Sequence, residues 1–288
     1  MKKIIFSKMS GAGNDFVVFD FSGEEKLHLS PNFIKEVCNR RTGIGADGVI
    51  AFSKSNGHDF NMDYYNADGS TGSLCGNGAR CAIWYAELNG KLKNHKADFI
   101  SNDRPYTGSV LQEELVQFNL NEPKDLKLNF KIKADNQHIN VSFINTGSPH
   151  VVIKITDILK SPGDPQSNYK DINELPVVQF GKEIRYLNDF APEGTNVNFI
   201  QYKGSKILIR TYERGVEDET LACGTGNVAA AIIGCLNDSI NPPVVLLTKG
   251  GDELIVNFKK EGKKIMNVSL TGPAKVVFTG EILVKNFF

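Results

Sequence analysis

Two short stretches of the chain carry a thiol into the same setting. The first is Leu74-Cys75-Gly76-Asn77-Gly78-Ala79-Arg80-Cys81; the second, about half a chain later, is Ala222-Cys223-Gly224-Thr225-Gly226-Asn227-Val228-Ala229. Each is approached through acidic and small residues, Asn66-Ala67-Asp68-Gly69-Ser70 in one case and Glu217-Asp218-Glu219-Thr220 in the other. Each then runs Cys-Gly-x-Gly into a segment that is apolar almost all round, 79–88 and 227–236, the pattern of a buried helix. Glycines on both sides of a small polar residue let the backbone turn tightly and leave its N–H groups uncovered. A helix N-terminus adds unsatisfied donors and a partial positive charge, which suits a carboxylate. A cysteine placed there becomes acidic, its pKa drawn from ~8.5 into the range ~3.5–7.5. Two such ends together would hold one carboxylate between two acid/base groups.

Other chemistries fit these cysteines less well. Five residues separate Cys75 from Cys81, which is not the Cys-x-x-Cys of a metal or redox site, and no histidine nearby completes a ligand set. No metal is expected. A purely structural role suits Cys38, Cys81 and Cys235, which lie inside apolar helical runs. It suits Cys75 and Cys223 poorly, because both precede a glycine pair at a helix start. Acid/base chemistry on carbon remains: one thiolate removes a proton beside a carboxylate, and the opposite thiol returns one to the other face. The carbanion between these steps needs donors aimed at the carboxylate. A single surface helix dipole contributes ~0.3–1 kcal/mol and each tenfold in rate needs ~1.4 kcal/mol, so water exclusion must supply the rest.

The elements that would position the thiols are mostly strands. Runs at 3–7, 16–21, 60–65, 97–101, 107–111 and 115–119 read as strands, with another starting at Val49. Ser30-Pro31 starts a helix that reaches about Asn39, with Ser as N-cap and Pro in the first turn. Between the first two strands, Met9-Ser10-Gly11-Ala12-Gly13-Asn14-Asp15-Phe16 is either a substrate-contacting loop or a plain hairpin turn. The glycine-rich loop Gly43-Ile44-Gly45-Ala46-Asp47-Gly48 lacks Gly-x-Gly-x-x-Gly spacing and precedes a strand, which argues against phosphate binding.

Residues 121–135, polar and lysine-rich, read as a crossover into a second half, and 161–175 as a surface excursion. Strands are expected at 138–144, 151–155, 195–200, 206–212, 244–248, 253–257, 265–271 and 274–284, with a short helix at Lys182–Asp189. His150, in the loop Asn145-Thr146-Gly147-Ser148-Pro149-His150, reads as a loop-bonding histidine more readily than a substrate ligand. Glu213-Arg214 at a strand end reads as a solvated pair, of interest for its closeness in sequence to Cys223. The expected fold class is α+β: two similar halves, each a mostly antiparallel sheet wrapped around a central helix, with the helix N-termini facing one another across a cleft.

The chain has 288 residues, enough for one large or two ordinary domains. Lys plus Arg and Asp plus Glu are 33 each, so charge points to neither nucleic acid nor a membrane surface. The apolar run after Met1-Lys2-Lys3 ends at Ser7-Lys8, too short for a signal peptide or a membrane span. Five cysteines, an odd number, suggest a cytoplasmic protein with free thiols.

Taken together, these motifs resemble diaminopimelate epimerase, a pyridoxal-independent family of isomerases. The residues that carry the resemblance are Lys8-Met9-x-Gly-x-Gly-Asn14-Asp15-Phe16, Asn66-Ala67-Asp68-Gly69-Ser70 with Cys75 to Cys81, Thr195-Asn196-Val197, and Glu213-Arg214-Gly215 with Ala222 to Gly226. The resemblance implies interconversion of L,L- and meso-2,6-diaminopimelate, which serves lysine and cell-wall precursor synthesis. It implies Cys75 and Cys223 as the acid/base pair and no cofactor. Gly76-Asn77 and Gly224-Thr225 would present N–H groups to the reacting carboxylate. Asn14, Asn66, Asn196, Glu213 and Arg214 would hold the amino groups and the distal carboxylate. The implied fold relates the halves by a pseudo-twofold, with the last strand returning: 1–120 plus 277–288, and 121–276. The partner expected is a small molecule, with a homodimer left open. Two positions depart from the family: Gly48, where some members carry Gln, and Ser148, where the family often has Asn before Pro149-His150. Proline racemases and hydroxyproline epimerases are the nearest alternative; Asn77, where they typically have His, and Glu213-Arg214 argue against them. A non-catalytic amino-acid-binding protein on the same scaffold is the alternative from another class.

Overall fold

In a computed structural model, residues 2–23, 29–72, 75–262 and 264–284 are described. Leu74 of the first thiol motif lies outside them. Two units divide the chain: Met1–Asn119 with Thr271–Phe288, and Leu120–Leu270. Among the described residues no helix is long and apolar enough to cross a membrane.

The first unit contains β1 (Lys2–Gly11), β2 (Asn14–Asp20), α1 (Pro31–Cys38), β3 (Gly48–Ser53), β4 (Phe60–Asn66), α2 (Gly76–Leu88), β5 (Lys96–Ser101), β6 (Arg104–Gln112) and β7 (Leu115–Asn119). The returning strand Lys275–Val284 pairs antiparallel with β1. From there the sheet runs β1–β2 antiparallel, β2–β3 parallel, β3–β4 antiparallel, β4–β5 parallel, then β5–β6 and β6–β7 antiparallel. The two parallel joints are the crossovers that carry α1 and α2. Strands from both ends of this order, β1 and β2 as well as β6 and β7, pack on α2, so the sheet curls around that helix. Almost every residue of α2 is buried, as an all-round apolar helix requires. Strand alternation sends Val17, Phe19, Val49 and Ala51 to the opposite face, where they meet Phe33, Ile34 and Val37 of α1. Ser30 caps α1, its Oγ accepting from Phe33 N–H at 3.3 Å.

The second unit repeats this pairing order. It contains β8 (Lys124–Ala134), β9 (Gln137–Asn145), β10 (Pro149–Lys154), α3 (Val177–Arg185), β11 (Asn196–Lys203), β12 (Lys206–Glu213), β13 (Asp218–Thr220), α4 (Gly224–Asp238), β14 (Val244–Leu247) and β15 (Glu253–Glu261). β16 (Lys264–Pro273) runs across the division between the units. The joints β8–β9 and β9–β10 are antiparallel, β10–β11 parallel, β11–β12 antiparallel, β12–β14 parallel and β14–β15 antiparallel. β9 through β12 and β14–β15 all pack on α4. α3 lies on the other face, with Val151, Ile153, Val197, Phe199 and Tyr212 beneath it.

Three local expectations are corrected. The polar stretch 121–135 is no crossover but an eleven-residue strand, β8, whose hairpin with β9 leaves most of its side chains exposed. The helix expected at Lys182–Asp189 is α3, Val177–Arg185. Its buried residues Val177, Phe180, Gly181 and Ile184 follow the helical period from the start, and only a 3-10 turn occupies 188–190. The excursion 161–175 is superficial only in its first part, because Tyr169, Ile172 and Leu175 enter the core under α3.

Candidate active site

Cys75 is the N-cap residue of α2, with extended backbone angles, and is half-buried. The first ladder bond of the helix is Ala79 N–H to the Cys75 carbonyl at 2.8 Å, so the N–H groups of Gly76, Asn77 and Gly78 lie ahead of the ladder. The Asn77 side chain is wholly buried and fixed from two sides. Its amide donates to Asn14 Oδ1, and its Oδ1 accepts from Arg80 Nη2 at 2.9 Å. Arg80, one turn on, has no exposed surface and also reaches the Gly76 carbonyl at 3.4 Å. Asn14 in turn donates to Asp47 Oδ2 at 3.1 Å.

An ionic cluster anchors that end of the unit. Asp15 accepts from Lys8 Nζ at 2.7 Å and from Arg40 at 2.9 and 2.7 Å, while Arg40 also reaches Asp47 at 2.7 Å. Burial raises the Asp15 pKa, but the hydrogen bonds and charges of Arg40 and Lys8 outweigh it and hold it at about 2. The Asn14 loop is therefore clamped. Gly11, at the hairpin, passes so close to α2 that a Cβ there would lie 2.7 Å from the Asn77 carbonyl oxygen. The glycine-rich loop 43–48 also has a structural task. The N–H groups of Gly43, Ile44, Gly45 and Ala46 all donate to carbonyls at the C-terminal end of α1, at 2.9–3.1 Å.

On the inner face of the sheet, register places Gly48 between Phe16 and Asn66. A Cβ at Gly48 would meet the Tyr65 carbonyl at 2.6 Å and the Tyr64 ring at 2.7 Å, so the tyrosine fills the space a side chain would take. Asn66 is half-buried, its amide donating to Ser70 Oγ at 3.0 Å, and Asp68 Oδ1 accepts from both the N–H and the hydroxyl of Ser70. Burial pushes the thiols of Cys38 and Cys81 up to about 12, which leaves them inert as bases.

In the second unit Cys223 is the N-cap residue of α4 and is buried. Asn227 N–H closes the first ladder bond to the Cys223 carbonyl at 3.0 Å, and the Asn227 amide reinforces it at 2.7 Å. Gly224, Thr225 and Gly226 hold the N–H groups ahead of the ladder. Thr225 Oγ1 lies 3.7 Å from Cys223 Sγ, and the Thr225 carbonyl accepts from Thr146 Oγ1 at 2.9 Å. Asn196 braces the neighbouring loops: its amide donates to the Pro149 carbonyl at 2.8 Å, and its Oδ1 accepts from Arg214 N–H at 2.9 Å.

Glu213 and Arg214 are half-buried, not fully solvated as their sequence setting suggested. Thr220 Oγ1 donates to Glu213 Oε2 at 2.8 Å, and Arg214 Nη1 rests 3.4 Å from the exposed Glu193 carboxylate. The turn after them is pinned by Glu217, which accepts from Gly215 N–H at 3.0 Å and pairs with Arg185 at 3.3 Å. His150 is no loop residue. It lies in β10, wholly buried, with Nε2 at 2.9 Å from both Ser148 Oγ and Thr225 Oγ1.

Each unit thus presents a thiol at the mouth of a buried helix, over a layer of inward-facing strand residues. The family model described as "Diaminopimelate epimerase" matches residues 6–107 and 142–277. The chain belongs to the diaminopimelate epimerase family. A Chlorobaculum tepidum relative named diaminopimelate epimerase is 39% identical over 277 residues, covering 95% of this chain and 99% of its own. One from Aquifex aeolicus with the same name is 35% identical, covering 96% and 97%. Among solved structures, a phenazine biosynthesis protein of the PhzF family from Bacillus anthracis superposes with a TM-score of 0.71 at 14% identity, covering 99% of this chain and 100% of its own. A probable proline racemase from Agrobacterium radiobacter gives 0.70 at 14%, covering 98% and 93%. At those identities the superpositions show the fold alone.

For a diaminopimelate epimerase-family chain, the first unit brings Asn14 and Asn77 into direct contact, with Asn66 two residues along β4 from the Tyr64 that covers Gly48. The second brings Thr225 to Cys223 and Asn196 to Arg214. Arg80, Asp47, Arg40 and Asn198 were given no role in the sequence reading. Only Asn198 left a trace there: in Asn196-Val197-Asn198-Phe199 the polar residues alternate with apolar ones along a strand that is otherwise core.

Proposed function

We propose that the chain interconverts L,L- and meso-2,6-diaminopimelate by inverting one α-carbon with two thiols, Cys75 and Cys223. The observation that supports this most strongly is the repeated construction: two cysteines, each the N-cap of a buried helix, each followed by two glycine-flanked N–H groups. Inversion needs a base on one face of the α-carbon and an acid on the other. A thiolate removes the α-proton, the electron pair passes into the carboxylate, and the second thiol delivers its proton to the opposite face. In the reverse direction the roles exchange. The N–H groups of Gly76, Asn77, Gly224 and Thr225 hold the reacting carboxylate, where charge builds in the transition state. Asn14, Asn66, Asn196 and Glu213 hold amino groups, directly or by bracing the loops that do. Arg214 grips the distal carboxylate in a two-point contact.

Relatives at 35–39% identity carry the diaminopimelate name, whereas the proline racemase shares only the fold, which favours diaminopimelate as substrate. All five cysteines are free thiols, which fits the reducing cytoplasm as the place of action. The test is proton NMR of L,L-diaminopimelate with reduced protein in deuterated water, without added pyridoxal or metal. Loss of the α-proton signal with growth of the meso isomer is expected from the native chain, and neither from Cys75→Ala or Cys223→Ala. Full turnover by either single variant would sink the two-thiol scheme; exchange with proline instead of diaminopimelate would move the substrate.

A further inference from the structure

Register equates positions across the repeated topology. Phe16 opposite Gly48 on the β2–β3 joint matches His150 opposite Asn196 on the β10–β11 joint. One row further in, Ile50 faces Tyr64 and Asn198 faces Thr211. The outer row is level with the mouth of α2, since Phe16 and Ile50 come within 3.5 and 3.6 Å of a Cβ placed on Gly78, in the first helical turn. Where the second unit has the amide of Asn196, the first has Gly48 and no side chain. Thr211, at the position of Tyr64, turns to its own row, its Oγ1 donating to Asn198 Oδ1 at 3.0 Å.

The Tyr64 ring takes up the room above Gly48. A Cβ on that glycine would lie 2.7 Å from Tyr64 Cε2 and 3.1 Å from the hydroxyl oxygen, so the hydroxyl stands in the outer row although its backbone belongs to the row beneath. The other edge of the ring lies against Gly72, where a Cβ would come 2.4 Å from both Cδ1 and Cε1. Neither glycine has a left-handed backbone, so crowding and not conformation explains them: the Tyr65 carbonyl and the ring at Gly48, the ring at Gly72. Phe16 meets the ring edge-on, with centroids 6.1 Å apart. Held on three sides, Tyr64 still keeps 8% of its surface exposed, where Phe16, Ile50 and Met62 keep 1% or less. A packed ring with an accessible end is how a tyrosine presents its hydroxyl to a ligand.

Asn66, on the same face of β4, offers a second oxygen. Ser70 Oγ donates to Asp68 Oδ1 at 2.6 Å and therefore accepts from Asn66 Nδ2 at 3.0 Å. That fixes Oδ1 as the Asn66 atom on the side of the ring, 3.0 Å from the Gly72 Cβ position.

We propose that the Tyr64 hydroxyl is a substrate contact of the first unit, accepting, with Asn66 Oδ1, hydrogen bonds from a substrate ammonium group. The inference rests on the diaminopimelate reading above. An ammonium group has only donors to give, and a phenol oxygen beside an amide oxygen accepts two of them. Gly48 and Gly72 are positioning residues, making the slot that carries the hydroxyl up to the outer row.

The experiment measures binding of meso-diaminopimelate by titration calorimetry in a Cys75→Ser chain, where the two-thiol scheme allows no inversion. Tyr64→Phe keeps the ring between its glycines and removes only the hydroxyl. It should weaken binding about tenfold, the worth of one hydrogen bond to a charged group, with the melting temperature of the ligand-free chain unchanged. With Cys75 restored, Tyr64→Phe should raise KM by a similar factor and leave kcat near native, because the contact is made equally before and during the chemical step. Gly72→Ala, which pushes on the ring, should also weaken binding, and should cost less when Tyr64→Phe is already present. Binding by Tyr64→Phe as tight as by its parent, or a loss of binding matched by a lower melting temperature, overturns the contact. If the Cys75→Ser parent itself binds no diaminopimelate, or still inverts it, the epimerase reading fails and takes the Tyr64 contact with it, an outcome that the parent chain alone reveals.

Discussion

Asp15→Asn should destabilise the first unit strongly at neutral pH and only weakly in acid. Asp15 lies between Lys8, whose side chain is 8% exposed, and Arg40, whose side chain is 58% exposed. The exposed pair is screened by water and is worth less, though Arg40 shares with Lys8 in holding the carboxyl low. The buried one matters, because replacing the carboxylate leaves a lysine charge in the interior, with the Gly45 carbonyl still accepting from it. Breaking a buried pair in this way costs ~3–5 kcal/mol, and the lower end applies to a group that keeps one acceptor. The pH dependence has a sign. The carboxyl is held at about 2 when folded against 3.8 when unfolded, so its contribution is complete above the unfolded value and is lost as pH falls toward 2. A shift of that size at 1.36 kcal/mol per unit is worth about 2 kcal/mol.

Trp84, the chain's single tryptophan, lies in α2 and is buried, so its fluorescence in urea reports on this unit. The gap between native chain and variant should be about 3 kcal/mol near pH 7 and should narrow to about 1 kcal/mol near pH 2. A gap of constant size across that range would refute the assignment of Asp15 as the counter-charge of Lys8.

Two further changes probe the sites directly. Gly11→Ala would set a Cβ 2.7 Å from the Asn77 carbonyl oxygen, a backbone atom that cannot swing away. It should lower thermal stability by ~1–3 kcal/mol and reduce turnover, read by melting and by α-proton exchange. Arg214→Ala keeps the backbone N–H that Asn196 holds but removes the guanidinium. The kcat/KM for diaminopimelate should fall ~10–100-fold, the value of a charge-assisted contact, with melting unchanged; an unaltered kcat/KM would remove Arg214 from the binding site.

Much of this was legible in the sequence wherever the cause is local. Cys-Gly-x-Gly before an all-round apolar run specifies a buried helix with a thiol at its mouth, and both helices begin at the glycine after the cysteine. Ser30-Pro31 likewise fixed the start of α1 by capping chemistry. What was missed depends on partners far away in the chain. Arg80 reads as a surface residue by type, and only the fold shows it wholly enclosed and holding Asn77. Asp47 acts through Asn14 and Asp15, more than thirty positions earlier. His150 finds its hydrogen-bond partners in Asn198 and Thr225, 48 and 75 positions on. β8 was passed over although Leu126, Leu128, Phe130, Ile132 and Ala134 alternate with polar residues, because its lysines made the stretch read as a polar crossover.

The division between what repeats and what does not follows from the chemistry asked of each part. Helix N-terminal N–H groups act on a carboxylate through the backbone, so the requirement is met by two glycines and a cap, and both units keep that pattern. The side chains beneath the helices do not repeat, and there the units part. The first uses buried Asn77 and Arg80, with Asn14 and the Asp15–Arg40–Asp47 cluster, to hold a hairpin against the helix, and it fills the space beneath Gly78 with Phe16 and Ile50. The second puts its polar residues below, under α4, and its charges at Glu213 and Arg214. A substrate whose reacting carbon bears a long amino-acid arm on one side presents two unequal faces. On the proposed scheme, two thiols in unequal surroundings on one repeated backbone would meet the two unequal faces of such a centre.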